Sequence, residues 1–236
     1  MESYNRPRPT QRREKMNSNK KTARIVGVLF LVATAAFMIG DGVLQSVLNH
    51  PEFLSNLYPD RTKVIAGIFF ELINSAAVVG IALLMFPILK QHNEAIALGY
   101  FGSRIIESAL LIVSILSPLV LITLSEEYIT AGAAGDSYFQ TIGRAAIKGH
   151  YMAFEMAMLV LSLGSLIFCY LLYKSKLIPR FISVIGLIGY AALLASGCSA
   201  IFGYDIGMIL YIPGAVFEII FPIWLIVKGF NQTMKS

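Results

Sequence analysis

Residues 64–89 decide the fold, because they read VIAGIFFELINSAAVVGIALLMFPIL and Glu71 is the only charged residue among them. The run exceeds the roughly 20 apolar residues that an α-helix needs to cross the hydrocarbon core of a bilayer. It does not alternate with a period of two, which excludes a strand of a membrane barrel. The stretch therefore predicts a membrane-spanning helix.

The rest of the chain repeats this pattern. Five more apolar runs are long enough to span a bilayer, at 25–48, 96–124, 149–173, 181–203 and 207–228. Over the whole chain, 56% of residues are hydrophobic and 14% are charged, and the mean hydropathy is +0.70. An average soluble domain is nearer 45–50% apolar and about 25% charged, which excludes a soluble enzyme. We predict an all-α polytopic membrane bundle of six transmembrane helices.

The third run, at 96–124, is longer than a bilayer requires. We expect it to tilt or to project past the outer headgroups. Proline lies inside or at the end of several runs and removes a backbone donor each time, so kinks are expected there. These prolines are Pro87, Pro118, Pro213 and Pro222.

Lys and Arg are distributed unevenly between the two sides. Fourteen lie in the N-terminal tail, in the connections at 90–95 and 174–180 and at the C-terminal end, whereas four lie in the other connections. Because cytoplasmic loops carry the excess of Lys and Arg, both termini are predicted to be cytoplasmic. The net charge of +5 reflects this sorting and indicates no nucleic-acid partner.

The segments outside the spans are short. Residues 1–20 are predicted to be a disordered basic cytoplasmic tail, residues 21–230 the transmembrane domain, and residues 231–236 a second short tail. A start at Met16 would remove most of the first tail. Two longer connections, at 49–63 and 125–148, are predicted to face outside. In the second, Asp136 is predicted to cap a short helix to about Ile147, which would lie on the outer membrane surface.

The chain resembles the bacterial domain-of-unknown-function family 4386 (DUF4386), whose members are multi-pass membrane proteins. The stretches that carry the resemblance are NKKTARIVGVLFL at 19–31, LKQHNEAIALGYFGSRIIE at 89–107, LSEEY at 124–128, SYFQT at 137–141, and LIPR at 177–180 with Gly186 and Gly189. The resemblance covers roughly residues 19–228. It implies a multi-pass protein of the bacterial plasma membrane, and it implies no particular reaction.

Six ionisable residues lie within the predicted spans. Such residues cost at least about 2.5–3.5 kcal/mol at the bilayer centre, so they normally face the bundle interior and mark a functional path or site. The alternative is structural, with neutral carboxyl groups hydrogen-bonded across helices. The candidate residues for ligand binding or a polar core are Asp41, Glu71, Arg104, Glu107, Glu155 and Glu218.

Arg104 is the only base of this set, and it lies three residues before Glu107. That spacing places the two side chains on one helix face as neighbours. A pair within the helix, a pair with a carboxylate on another helix, and an anionic ligand are the three partners that the sequence allows for Arg104.

The acids are not spread evenly in depth. At 1.5 Å per residue, Asp41, Glu71 and Glu155 lie about 24–28 Å from the cytoplasmic edge, whereas Glu107 and Glu218 lie near the middle of the membrane. This distribution predicts a polar pocket that opens to the outside. The function it favours is the binding or transport of a small or lipid-like ligand. No catalytic residue and no enzymatic activity can be assigned.

The histidines offer a weak alternative. His50 and His150 lie at the outer ends of their spans and, with Asp41, Asp136 or Glu155, would give a divalent metal site of an intramembrane hydrolase. The pair has no recognisable zinc motif, so we predict surface histidines, no metal and no cofactor. A third interpretation is an interaction or sensor subunit. The expected partners are the lipid bilayer and a small-molecule or lipid ligand, and a homo-oligomer stays open.

Overall fold

The structure, a computed structural model, describes residues 9–132, 136–204 and 208–231. A short 3-10 turn at Met208–Tyr211 precedes the last helix. The α-helices of the described ranges are α1 (Pro9–Leu48), α2 (Phe53–Asn56), α3 (Arg61–Leu89), α4 (Glu94–Ser114), α5 (Leu116–Thr130), α6 (Asp136–Ser175), α7 (Arg180–Ile201) and α8 (Ile212–Val227).

Within the described residues, six helical segments are long and apolar enough to cross a membrane, which confirms the predicted number of spans. We number them 1 to 6 along the chain. They are Ser18–Leu48, Arg61–Leu89, Glu94–Thr130, Ser137–Ser175, Arg180–Ile201 and Ile209–Val227.

The six spans form a closed ring in chain order. α1 packs on α3, α3 on α4, α4 on α6, α6 on α7 and α7 on α8, and α8 returns to pack on α1. Short connections join consecutive spans, so neighbours run antiparallel. We call the end of the ring with the connections at 90–93 and 176–179 the terminal face, and the end with the connection at 49–60 the distal face. Which face is cytoplasmic stays a prediction.

A row of aromatic rings crosses the interior of the ring towards the terminal face. Phe30 of α1 meets Phe221 of α8 edge-on, with ring centroids 5.2 Å apart. Phe221 lies 5.7 Å from Phe168 of α6, and Phe168 stacks on Tyr100 of α4 at 4.4 Å. These four side chains are almost completely buried, so the row fills the ring at this level.

Span 3 is one long segment, as the sequence predicted, and it is interrupted close to Pro118, where a kink was expected. α4 ends at Ser114 and α5 begins at Leu116. Pro118 has no N–H to donate to the carbonyl four residues earlier, that of Ser114. His150 Nδ1 lies 2.8 Å from this carbonyl oxygen and, because a carbonyl only accepts, donates to it. The expectation of a surface histidine is wrong for His150, which is 6% exposed.

The predicted separate helix from Asp136 to about Ile147 is wrong. These residues form the first part of α6, which continues unbroken to Ser175. Gly149 costs a helix only about 1 kcal/mol, and packing offsets this cost. Phe139 packs against Tyr128 of α5 at 5.7 Å.

The N-terminal segment also differs from the prediction of a disordered tail over 1–20. α1 begins at Pro9, and proline is favoured in the first turn of a helix because its missing N–H would have no partner there. No Gly or Pro interrupts residues 10–26, so the helix runs on into span 1. Residues 1–8 and 232–236, where the rest of the predicted tails falls, lie outside the described residues.

Candidate functional site

The six ionisable residues of the spans lie in two groups at different depths. The inner polar cluster contains Arg104 and Glu107 of α4 and Glu218 of α8, together with Tyr100 and Tyr190. The outer polar cluster lies nearer the distal face and contains Asp41 of α1, Glu71 of α3 and Glu155 of α6, together with His150 and Tyr211.

Arg104 and Glu107 form the centre of the inner polar cluster. Nη1 of Arg104 contacts Oε2 of Glu107 at 2.7 Å and Oε1 at 2.9 Å. The two residues are 4% and 2% exposed. The sequence allowed a pair within the helix, a pair with another helix, or an anionic ligand. The structure has the pair within the helix. In this pair the charge of Arg104 is offset by an acid on the same helix.

Two tyrosines complete the inner polar cluster. Nε of Arg104 donates to the hydroxyl of Tyr100 at 3.3 Å. The hydroxyl of Tyr190 on α7 donates to Oε1 of Glu218 at 3.2 Å. Glu218 also interacts electrostatically with Arg104 and Glu107. The cluster thus connects α4, α7 and α8 directly above the aromatic row.

Glu71 is the most buried acid of the outer polar cluster, at 5% exposed. Asn74 Nδ2, one helical turn along α3, lies 3.5 Å from Oε2. The backbone amide of Asp41 interacts with the carboxyl group. Within the part of the chain that the structure describes, however, no donor reaches Oε1 with hydrogen-bond geometry. Oε1 of Glu71 is therefore buried against the α1 backbone at Gly40.

Two glycines make room for Glu71 between α1 and α3. A Cβ atom on Gly40 would lie 2.9 Å from Oε1 of Glu71 and 3.0 Å from the carbonyl oxygen of Gly67. A Cβ atom on Gly67 would lie 3.1 Å from Val43 and 3.3 Å from the carbonyl oxygen of Gly40. Small residues at this crossing let the two backbones approach closely, and the approach places Glu71 beside the residue that precedes Asp41.

Asp41 links the outer polar cluster across the ring. Gln45 Nε2 donates to its Oδ2 at 2.7 Å. The carboxyl group also interacts electrostatically with Glu71, His150 and Tyr211. These neighbours come from α3, α6 and the 3-10 turn, so Asp41 faces the ring interior, and its side chain is only partly buried.

Glu155 and its neighbours close the outer polar cluster from the other side. The hydroxyl of Tyr211 donates to Oε1 of Glu155 at 3.4 Å. Spans 1 and 4, which are not neighbours in the ring, meet here. Phe37 of α1 stacks on Phe154 of α6 at 5.7 Å. The side chains of the distal half therefore converge on a shared interior of carboxyl, hydroxyl and aromatic groups.

Several residues of the two clusters were not among the predicted site residues. Tyr100 lies four residues before Arg104, a helical spacing that the sequence offered as a signal. Asn74, which contacts the outer polar cluster, lies three residues after Glu71, and this spacing is also one at which side chains meet on a helix. Tyr190 and Tyr211 gave no such signal, because their partners lie on another helix far along the chain.

Two of the predicted metal donors, His50 and His150, have separate partners in the described part of the chain, and the side chain of a third, Asp136, lies outside it. His50 lies in the connection at the distal face, where its Nδ1 is 2.8 Å from Asn56 Nδ2, whereas His150 is bonded to the backbone of α4. Among the described residues, no three His, Cys, Asp or Glu side chains come close enough to share a metal ion.

Comparison with known proteins gives a family. The family described as "Domain of unknown function (DUF4386)" matches residues 25–229, close to the range 19–228 over which the resemblance was recognised. No curated protein matches the chain, and no solved structure does. Because the match covers most of the chain, including all six spans, the protein belongs to the DUF4386 family.

Proposed function

We propose that this membrane protein binds or transports a small or lipid-like ligand that carries a positive charge, and that the ligand occupies the outer polar cluster. One observation supports this most strongly. Asp41, Glu71 and Glu155 come from three different spans and share the interior of the distal half, where Asp41 interacts with Glu71 and the hydroxyl of Tyr211 donates to Glu155.

Charge balance favours a cation over an anion. Away from the ends of the six apolar runs, Arg104 is the only Lys or Arg, and Glu107 already binds it at 2.7 Å. Among the described residues, the salt bridges are those of Lys90 with Glu94 and of Arg104 with Glu107, so neither Asp41 nor Glu71 takes part in one. At an effective dielectric constant of about 20, opposite unit charges 4 Å apart attract by about 4 kcal/mol. A cationic ligand would gain this attraction, whereas an anion would be repelled.

The aromatic residues of the distal half suggest an organic cation. Phe37, Phe154 and Tyr211 provide ring surfaces beside the acids, and rings attract cations through their negative faces. A ligand with a charged group and an apolar body would contact both kinds of side chain. This matches the small or lipid-like ligand that the sequence favours.

The other functions have less support. A metal-dependent hydrolase needs three protein ligands around its metal, and the described side chains bring no such group together. A sensor or interaction subunit requires a partner surface, and no observation favours one. We also propose that the membrane is the bacterial plasma membrane, because the family resemblance implies it.

Binding of a charged dye tests the proposal. The full chain in dodecyl maltoside is titrated into ethidium, an aromatic cation, and into fluorescein, an anion of similar size, with fluorescence anisotropy as the readout. Ethidium should bind and fluorescein should not. Asp41→Asn and Glu71→Gln should each weaken ethidium binding by at least about tenfold, the effect of losing one partner of a buried charge pair.

Glu94→Gln provides the matched control. Glu94 is an exposed acid at the terminal face, paired with Lys90 at 2.7 Å, so its loss should leave ethidium binding unchanged. Equal binding of both dyes, or equal losses in Glu94→Gln and Glu71→Gln, would show that the outer polar cluster does not select a cation.

A further inference from the structure

A second site lies at the opposite end of the molecule from the outer polar cluster. A groove of about 310 Å³ opens on the terminal face, between the beginning of α4 and the end of α6. The groove lies far from the outer polar cluster and is basic, whereas that cluster is acidic. Its lining includes Lys174, His92, Asn93, Ile96, Tyr170 and Leu171.

The polar end of the groove is basic. Lys174 is exposed, and its ammonium group lies 5.5 Å from the centroid of the Tyr170 ring one turn earlier on α6. His92 and Asn93 lie on the α4 side, and no acid lines the groove within the described residues. The nearby Glu94 is bound by Lys90 at 2.7 Å, which offsets its charge. The groove therefore presents a positive charge together with hydrogen-bonding side chains.

The other end of the groove is apolar and continues into the membrane-facing surface. Ile96, Tyr170 and Leu171 form its wall. Ile167 and Leu163 follow Tyr170 towards the membrane centre at spacings of three and four residues, which place them on one helix face. Their side chains are 38% and 55% exposed on the outside of the bundle. A basic group at the membrane surface next to an apolar strip matches the charged headgroup and the acyl chain of one phospholipid.

We propose that the groove between α4 and α6 binds the phosphate of an anionic phospholipid, with Lys174 as its cation and the strip from Tyr170 to Leu163 against an acyl chain. Juxtamembrane Lys residues attract anionic lipids in this way. A free phosphate ion shares the headgroup chemistry, but it would gain nothing from the apolar strip.

Native mass spectrometry of the full chain in dodecyl maltoside tests the site. Dioleoyl-phosphatidylglycerol and dioleoyl-phosphatidylcholine are titrated separately, because they share acyl chains and differ in net charge. Phosphatidylglycerol should bind more tightly, and Lys174→Gln should weaken it about fivefold. Inorganic phosphate in large excess should leave the lipid bound.

Lys228→Gln is the matched control. Lys228 is exposed near the end of α8, on the same face but outside the groove, so its loss should change the affinity by less than about twofold, a margin well below the effect of one surface charge. Lys174 is exposed as well, so both variants should melt like the parent protein. Equal affinities for the two lipids, equal effects of the two substitutions, or displacement of the lipid by inorganic phosphate would overturn the proposal.

Discussion

Arg104 binds Glu107 through a single nitrogen, Nη1, which reaches both carboxylate oxygens one helical turn along α4. The two residues respond differently to the loss of their partner, because only one of them can become neutral. A buried carboxylate can take up a proton, whereas a guanidinium does not lose its proton in a protein and stays charged. The pair is therefore more sensitive to the loss of its acid than to the loss of its base.

This inequality predicts different effects of two substitutions. Glu107→Leu leaves Arg104 charged and 4% exposed, and breaking a buried pair from this side typically costs about 3–5 kcal/mol. Arg104→Gln leaves acids that can neutralise themselves, so this variant should fold and insert, lose function, and melt closer to the parent. Thermal melts of the two variants in detergent compare them. Melting temperatures that both equal the parent value would mean that water reaches the pair.

His150 and Pro118 should be coupled energetically. His150→Ala leaves the Ser114 carbonyl buried without its donor, which should cost about 1–3 kcal/mol. In a Pro118→Ala background, the new backbone N–H can make the helical hydrogen bond to this carbonyl, so the same His150 substitution should cost less. A double-mutant cycle on melting temperature measures the coupling, and strictly additive effects would contradict the assigned role of His150.

Gly40 and Gly42 form a matched pair on α1. A Cβ atom on Gly40 would lie 2.9 Å from Glu71 Oε1 and 3.0 Å from a backbone oxygen of α3, whereas a Cβ atom on Gly42 has nothing within 4 Å among the described residues. Gly40→Ala should therefore lower the melting temperature and displace Glu71. Gly42→Ala should be neutral or stabilising by about 0.5–1 kcal/mol, the helix preference of Ala over Gly. Equal melting temperatures would argue against the close crossing of α1 and α3.

The orientation of the bundle also needs a direct test. Because fourteen Lys and Arg residues fall on the side of the termini and four on the other, the terminal face should be cytoplasmic. Alkaline phosphatase fused after Ser236 should be inactive, and the same enzyme fused after Gly132 at the distal face should be active. The reverse pattern would invert the topology.

Most of the fold could be predicted from the sequence, but only some residues of the two polar clusters could. Spans 2 and 5 were predicted within three residues of their observed ends, because bilayer thickness sets their length. The partner of Arg104 was among the three predicted because helical spacing alone places Glu107 beside it. Tyr190 and Tyr211 were missed because hydropathy does not encode the order of spans around the ring or the rotation of each helix. At Pro118 the sequence predicted a kink, and the structure has an interruption between Ser114 and Leu116; the donor that bonds to the freed carbonyl, His150, lies on another helix and could not be predicted.

The closed ring has a consequence for how the protein is made. α1 packs on α8, so a chain that enters the bilayer span by span keeps one flank of α1 against lipid until α8 has been inserted. Glu218 reaches the membrane with span 6, three spans after Arg104. During that interval Glu107, which is inserted on the same helix, is the acid that pairs with the guanidinium. Because both partners of the ion pair lie on span 3, Arg104 is paired in the bilayer before spans 4 to 6 have been inserted.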